Sequence, residues 1–197
     1  MSSRPGPSAP PTASNDPPIR VATPSDARGV QEIYAPVVRD TVISFELEPP
    51  AVAEMERRIE ATLPVLPWLV WEESGRVAGY VYASRHKERA AYQWSVDVTA
   101  YVHPDFRRRG VGKALYLELL RILRMQGYFT AYGGITLPNA ASVALHESAG
   151  FSHFAVYRGV GYKFGRWHDV GWWQCRLAEL APEPAPPRAF AELGSRR

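Results

Sequence analysis

Arg107-Arg108-Arg109-Gly110-Val111-Gly112-Lys113 separates a run dense in β-branched and aromatic residues from a run of helical periodicity. Upstream, Trp94-Ser95-Val96-Asp97-Val98-Thr99-Ala100-Tyr101-Val102 reads as a strand. Downstream, Val111, Leu115, Leu119, Ile122 and Leu123 recur on one helix face. Glycines at 110 and 112 let an anion approach the backbone N–H groups at the helix start without Cβ interference. Strand, glycine turn and amphipathic helix, in that order, are the parts of a pyrophosphate cradle. By itself the segment also fits an arginine-rich helix start on a solvated face, so its surroundings decide.

Two other phosphate loops are excluded. Ala114 follows Gly112-Lys113 where a Walker A loop needs Ser or Thr for magnesium. A dinucleotide fingerprint needs a third glycine, and Leu115 stands in its place.

With 197 residues, 46% of them apolar, the chain can bury one good-sized core. The net charge of +3 is small and, apart from Arg107 to Arg109, dispersed, which weighs against a general nucleic-acid binder. The single cysteine, Cys175, precludes an intramolecular disulfide and a cysteine zinc cluster, and lies in an apolar strand-like run. His168-Asp169 lacks a third ligand at metal spacing, so no metal is expected. There is no apolar run of membrane-spanning length and no apolar export leader at the N-terminus. A cytoplasmic protein is the default expectation.

Residues 1–18 are rich in Pro, Ser and Ala and read as a disordered leader, and 181–197 as a flexible Pro-rich tail. One domain over 19–180 lies between them. Ile19 to Ala22 reads as a strand, and Thr23-Pro24-Ser25-Asp26 as a helix start with an N-cap hydroxyl, Pro at N1 and a carboxylate at N3. The helix is expected to reach about Val38. A strand over Thr41 to Phe45, a helix over 52–61, and a hairpin of 68–72 with 77–85 through Ser74-Gly75 follow. After the 110–126 helix come a strand at 130–137, a helix from Asn139 to Gly150, and strands at 151–160 and 170–177. The order predicts an α/β fold of mixed type, a twisted mixed central sheet with helices on both faces.

The Thr-Pro-x-Asp start, the Arg-x-x-Gly-x-Gly turn, the Asn139 helix start and the Ala149-Gly150-Phe151 stop occur in that order. Together they resemble the GNAT superfamily of acetyl-CoA-dependent N-acetyltransferases. Arg20 to Asp26, Pro67-Trp68-Leu69-Val70, Ala91-Tyr92-Gln93-Trp94, Leu137-Pro138-Asn139 and Trp167 to Gln174 extend the likeness to the phosphinothricin N-acetyltransferase subfamily over about residues 19 to 178. The resemblance implies the GNAT fold, acetyl-CoA as co-substrate, and acetylation of the α-amino group of small glutamate-like amino acids. Phosphinothricin, methionine sulfoximine and methionine sulfone are the acceptors it implies, and the subfamily suggests a homodimer.

The resemblance also implies roles. Arg108, Arg109, Gly110, Val111, Gly112 and Lys113 would hold the coenzyme phosphates. The backbone of Tyr101, Val102 and His103 would line the pantetheine, with Asn139 as cap and hydrogen-bond partner of that arm. Asp97 falls on the subfamily's catalytic glutamate. A carboxylate among Trp94, Val96 and Val98 is costly unless paired or used, and burial raises its pKa toward a proton-accepting value. One methylene shorter than Glu, it suits a bridging water better than direct contact. His146, two helical turns after Asn139, occupies the place of a tyrosine acid in the wider superfamily and can relay a proton.

At the acceptor end the resemblance points to Lys87, Arg89 and Tyr92, with Phe45, Tyr101 and Val160 as walls. Basic groups there suit an acceptor with acidic groups. Three other functions stay open on sequence grounds. They are acetylation of a peptide N-terminus or an antibiotic, a non-catalytic acetyl-CoA-binding module, and nucleic-acid contact through Arg107 to Arg109.

Overall fold

A computed structural model describes residues 18–194. Except for Pro18, the leader expected over 1–18 lies outside the described residues. Seven strands form one sheet: β1 (Ile19–Val21), β2 (Trp68–Glu73), β3 (Arg76–Arg85), β4 (Ser95–Val102), β5 (Thr130–Thr136), β6 (Ser152–Lys163) and β7 (Arg166–Arg176). They lie side by side in the order β1-β2-β3-β4-β5-β7-β6. All neighbours are antiparallel except β4 and β5, which run parallel. The helices are α1 (Ala27–Asp40), α2 (Val52–Thr62), α3 (Val111–Gln126), α4 (Ala140–Ser148) and a short α5 (Phe190–Leu193).

Alternation along the strands makes two cores. Leu69, Val81, Ala83, Val96 and Val98 face the side on which α3 buries Leu115, Leu119 and Leu123. Trp68, Val70 and Tyr80 face the opposite side, under Val30, Ile33 and Val38 of α1 and Met55 and Ile59 of α2. Each fully buried Val, Leu, Ile or Met side chain among them contributes about 1.5–3 kcal/mol. Helices therefore cover both faces of a mixed sheet, as the element order implies. The first helix opens as expected from Thr23-Pro24-Ser25-Asp26, although through a 3-10 turn over Pro24–Asp26. The Asp26 carboxylate accepts the Thr23 N–H at 2.7 Å and two guanidinium hydrogen bonds from Arg20, which also reaches Glu72. That network ties β1 and β2 to the start of α1.

Three expectations change. Thr41 to Phe45 is not a strand. Its hydroxyls satisfy the local backbone instead: Thr41 Oγ1 donates to Val37 O and accepts from Ile43 N, and Ser44 Oγ accepts from Glu46 N. Such side-chain bonds compete with a sheet ladder. The last two strands are longer than their composition indicates, meeting in a tight hairpin whose turn residues Phe164 and Gly165 have φ of 49° and 76°. Finally, within the segment read as a flexible tail, residues 185–190 are laid along the body. Trp94 Nε1 donates to Ala185 O, Gln126 Nε2 to Arg188 O, and Phe190 N to Val65 O.

Candidate active site

β4 and β5 keep register only over Ser95–Thr130, Val96–Ala131 and Asp97–Tyr132. Beyond Asp97 the two strands separate, while β4 stays paired with β3 as far as Val102. The result is a wedge in the sheet with one β4 backbone edge open. A cavity of about 50 Å³ fills it, lined by Val98 to Tyr101 of β4, Gly134 to Thr136 of β5, and Tyr116, Asn139, Ser142 and His146. A free strand edge at such a wedge offers N–H and C=O groups to an extended, amide-bearing chain.

The glycine turn follows β4 at the mouth of the wedge. Arg108 and Gly110 both take left-handed backbone angles, φ 59° and 83°. The first bond of α3 runs from Ala114 N to Gly110 O at 3.0 Å, leaving the N–H groups of Val111, Gly112 and Lys113 without a helical partner. Left-handed residues just before free amides make a concave nest for an anion. A side chain at Gly112 would press on Leu145 at 3.1 Å, so glycine there also lets α3 pack close to α4. Arg108 and Lys113 flank the nest. Arg109 turns away, its guanidinium bonded to Glu73 at 2.6 Å and resting over the Phe106 ring.

At the closed end, Asp97 sits on the face opposite Val96 and Val98. Its Oδ1 is 2.7 Å from Nδ1 of His86. Burial pushes the Asp97 carboxyl above its usual range, against the hydrogen bond from His86 and the nearby charge of Lys87. On the other side of the wedge His146 is buried, with Nδ1 2.8 Å from Ser142 O and Nε2 2.9 Å from the Tyr116 hydroxyl. A carbonyl only accepts, so Nδ1 carries the proton and Nε2 accepts from Tyr116. Burial lowers the His146 pKa, which favours this neutral, fully paired ring. Asn139 caps α4 through Oδ1, accepting Ser142 N at 3.1 Å.

The expected acceptor residues divide. Tyr101 lines the wedge, its ring tilted at 60° to that of Tyr34 with centroids 5.1 Å apart. Phe45 lies over Gly161, where a Cβ would collide with its ring. Its loop is held by Lys163, only 3% exposed, whose ammonium donates to Val38 O, Ser44 O and Glu46 O at 2.6, 2.8 and 2.9 Å. Lys87, Arg89 and Tyr92 line a neighbouring cleft of about 320 Å³ against Tyr128 and Pro187, which shares no lining residue with the wedge. Val160 is exposed on β6 and lines neither cavity.

Sequence reasoning gives His86 only as part of the charged Arg85 to Arg89 loop, places Lys163 on a segment that covers the acceptor pocket in relatives, and passes over Tyr116. The hairpin register could have found His86: Ser84 pairs with Asp97, so the residue just past the end of β3 lies beside it. Nothing local marks Tyr116 or the loop-holding bonds of Lys163, because the partners are distant in the chain. Among the described residues no group of three His, Cys, Asp or Glu could hold a metal ion, and no helix is long and apolar enough to cross a membrane.

Residues 19–172 match the family model of the acetyltransferase (GNAT) domain. The chain is 42% identical over 175 residues to phosphinothricin N-acetyltransferase of Streptomyces viridochromogenes, covering 89% of this chain and 95% of that protein. It is 34% identical to the L-methionine sulfoximine/L-methionine sulfone acetyltransferase of Salmonella typhimurium, covering 85% and 98%. Among solved structures, a GNAT superfamily phosphinothricin acetyltransferase from Sinorhizobium meliloti in complex with acetyl-CoA superposes with a TM-score of 0.79. The identity is 32%, over 87% of this chain and 97% of that one.

Proposed function

Because the chain belongs to the GNAT acetyltransferase family and is an acyltransferase, we propose that its acceptor is the α-amino group of a small glutamate-like amino acid. The acceptors are of the phosphinothricin, methionine sulfoximine or methionine sulfone type, and acetyl-CoA is the donor. The observation that carries this reading is the wedge, with the amide nest at its mouth and a half-buried carboxylate at its closed end.

In this reading the N–H groups of Val111, Gly112 and Lys113, with Arg108 and the bend at Gly110, hold the pyrophosphate. Arg109 braces the turn through Glu73. The open edge of β4 from Val98 to Val102, with His103 just beyond it, aligns the pantetheine arm, Asn139 adds a side-chain amide, and a β4 N–H polarises the thioester carbonyl. Asp97 takes part in removing the proton from the acceptor ammonium, so that the amine attacks the thioester. On the far side of the wedge, the Tyr116–His146 pair handles the proton needed by the leaving thiolate. Lys87, Arg89 and Tyr92 attract and orient an acidic acceptor, and Phe45 and Tyr101 wall it. The enzyme acts in the cytoplasm without a metal, and as a homodimer. The aromatic side chains left exposed on the outer hairpin, including Trp167 at 67%, together with β6 as an edge strand, support that pairing. Val160 lies on this surface and would meet the acceptor only through the partner.

Thiol release from acetyl-CoA, followed against phosphinothricin, methionine sulfoximine, methionine sulfone, a polyamine and short peptides, tests the proposal. Release with the amino acids and none with the polyamine supports it. Release with peptides alone overturns it.

A further inference from the structure

We propose that His86 is the group that takes the proton from the acceptor ammonium, with Asp97 as the carboxylate that orients it. The inference rests on the acetyl-transfer reading above and names the base within it. Four observations lead here. The His86 Nδ1 to Asp97 Oδ1 distance is 2.7 Å, the shortest carboxylate–imidazole contact among the described residues. The other ring nitrogen, Nε2, has no hydrogen-bond partner among those residues. The ring is held on its faces and edges, stacked on Tyr132 at 4.6 Å and 26° and met edge-on by Trp172 at 6.4 Å and Tyr92 at 6.2 Å. Its side chain is 19% exposed, so solvent or a ligand reaches it.

The charged and titratable groups around the ring are few. Asp97 comes from β4, Tyr132 from β5, and Lys87 and Tyr92 from the loop after β3; β7 adds only the neutral Trp172. An ionised carboxylate only accepts, so the proton of a neutral His86 lies on Nδ1. Nε2 is then a lone pair on a ring that cannot swing, the arrangement of an imidazole base with its orienting carboxylate. Asp97 has one oxygen committed to the ring and is a short side chain. The imidazole extends its reach by the width of a ring.

The Nε2 lone pair takes one proton from R–NH3+, leaving R–NH2 and an imidazolium that donates to Asp97. The amine lone pair forms the C–N bond to the thioester carbonyl as the π pair moves to oxygen. Collapse of that intermediate breaks the C–S bond, the second nitrogen proton goes to the thiolate, and the imidazolium returns its proton to solvent. The products are the N-acetyl amino acid, the free thiol and one proton.

Three measurements on the full chain test it. His86→Gln retains an N–H for Asp97 but no basic nitrogen. Its kcat with methionine sulfone is expected to fall about 10²- to 10³-fold, with acetyl-CoA Kd unchanged. His86→Ala is expected to regain turnover with added imidazoles, in proportion to their basicity. Nitrogen-15 shifts of the neutral ring are expected to report a proton on Nδ1, a readout independent of turnover. His86→Gln within about threefold of the parent kcat, or a neutral ring protonated on Nε2, overturns the dyad while leaving acetyl transfer intact. A protein inert toward every amino acid but showing the Nδ1–H ring overturns the acceptor reading and leaves the dyad standing.

Discussion

The Tyr116 hydroxyl donates to Nε2 of His146 at 2.9 Å, while Nδ1 of the same ring donates to the Ser142 carbonyl at 2.8 Å. Both nitrogens are spent on the neutral form, and burial pushes the His146 pKa below its ordinary value. The unfolded chain takes up a proton at the ordinary histidine pKa and the folded chain only lower, so the unfolded state binds more protons between the two. Stability contributed by neutral His146 is therefore present above the ordinary value and lost as pH falls through that window, at up to about 1.4 kcal/mol per pH unit. Urea unfolding of the parent and of His146→Gln at pH 7.5 and 5.5 checks this. The parent is expected to lose more stability between the two values than the variant does.

Gly133 makes room for that ring. A Cβ there would lie 2.6 Å from His146 Nε2 and 2.7 Å from Cδ2. Gly133→Ala is expected to cost about 1–3 kcal/mol by overpacking. It is also expected to lower kcat by breaking the Tyr116 contact, with acceptor KM nearly unchanged. Steady-state kinetics with an unfolding curve separates the two effects.

Lys163 closes the α1–α2 loop from the far end of the chain. Replacing it with Met keeps much of its volume but strands three carbonyls, at Val38, Ser44 and Glu46. Each stranded group costs about 1–3 kcal/mol where water cannot reach it. The specific expectation is a KM effect: acceptor KM rises several-fold as Phe45 loosens, while acetyl-CoA affinity, measured by calorimetry, stays constant.

Much of the architecture was legible because hydrophobic period and turn chemistry are local. The Val111 to Leu123 stripe, the Thr23 to Asp26 start and the Ser74-Gly75 turn each carry their own signal. The loop at Thr41 to Phe45 was misread because its β-branched composition matches a strand, whereas Lys163, more than a hundred residues later, holds it as a loop. The site divides along the same line. The glycine turn and Asn139 announce themselves by spacing, and Asp97 by a carboxylate among apolar neighbours. His86 and Tyr116 acquire meaning only from the partners the fold brings to them.

Gly110 has φ of 83° with no neighbour within 4 Å of a Cβ, so a side chain there is opposed by backbone strain and not by crowding. Gly110→Val is expected to cost about 1–3 kcal/mol locally and to flatten the amide nest. Acetyl-CoA affinity should fall at least about tenfold, the equivalent of about 1.4 kcal/mol, and calorimetry reads it directly.

Acetyl transfer to the α-amino group of a small acidic amino acid can be followed with carbon-13 acetyl-CoA in an equimolar mixture of phosphinothricin, methionine sulfone and a short peptide, with the label located by NMR. Label is expected in Nα-acetyl amino acid. Label confined to the acetylated peptide, or released only as acetate, would show that the acceptor is not an amino acid.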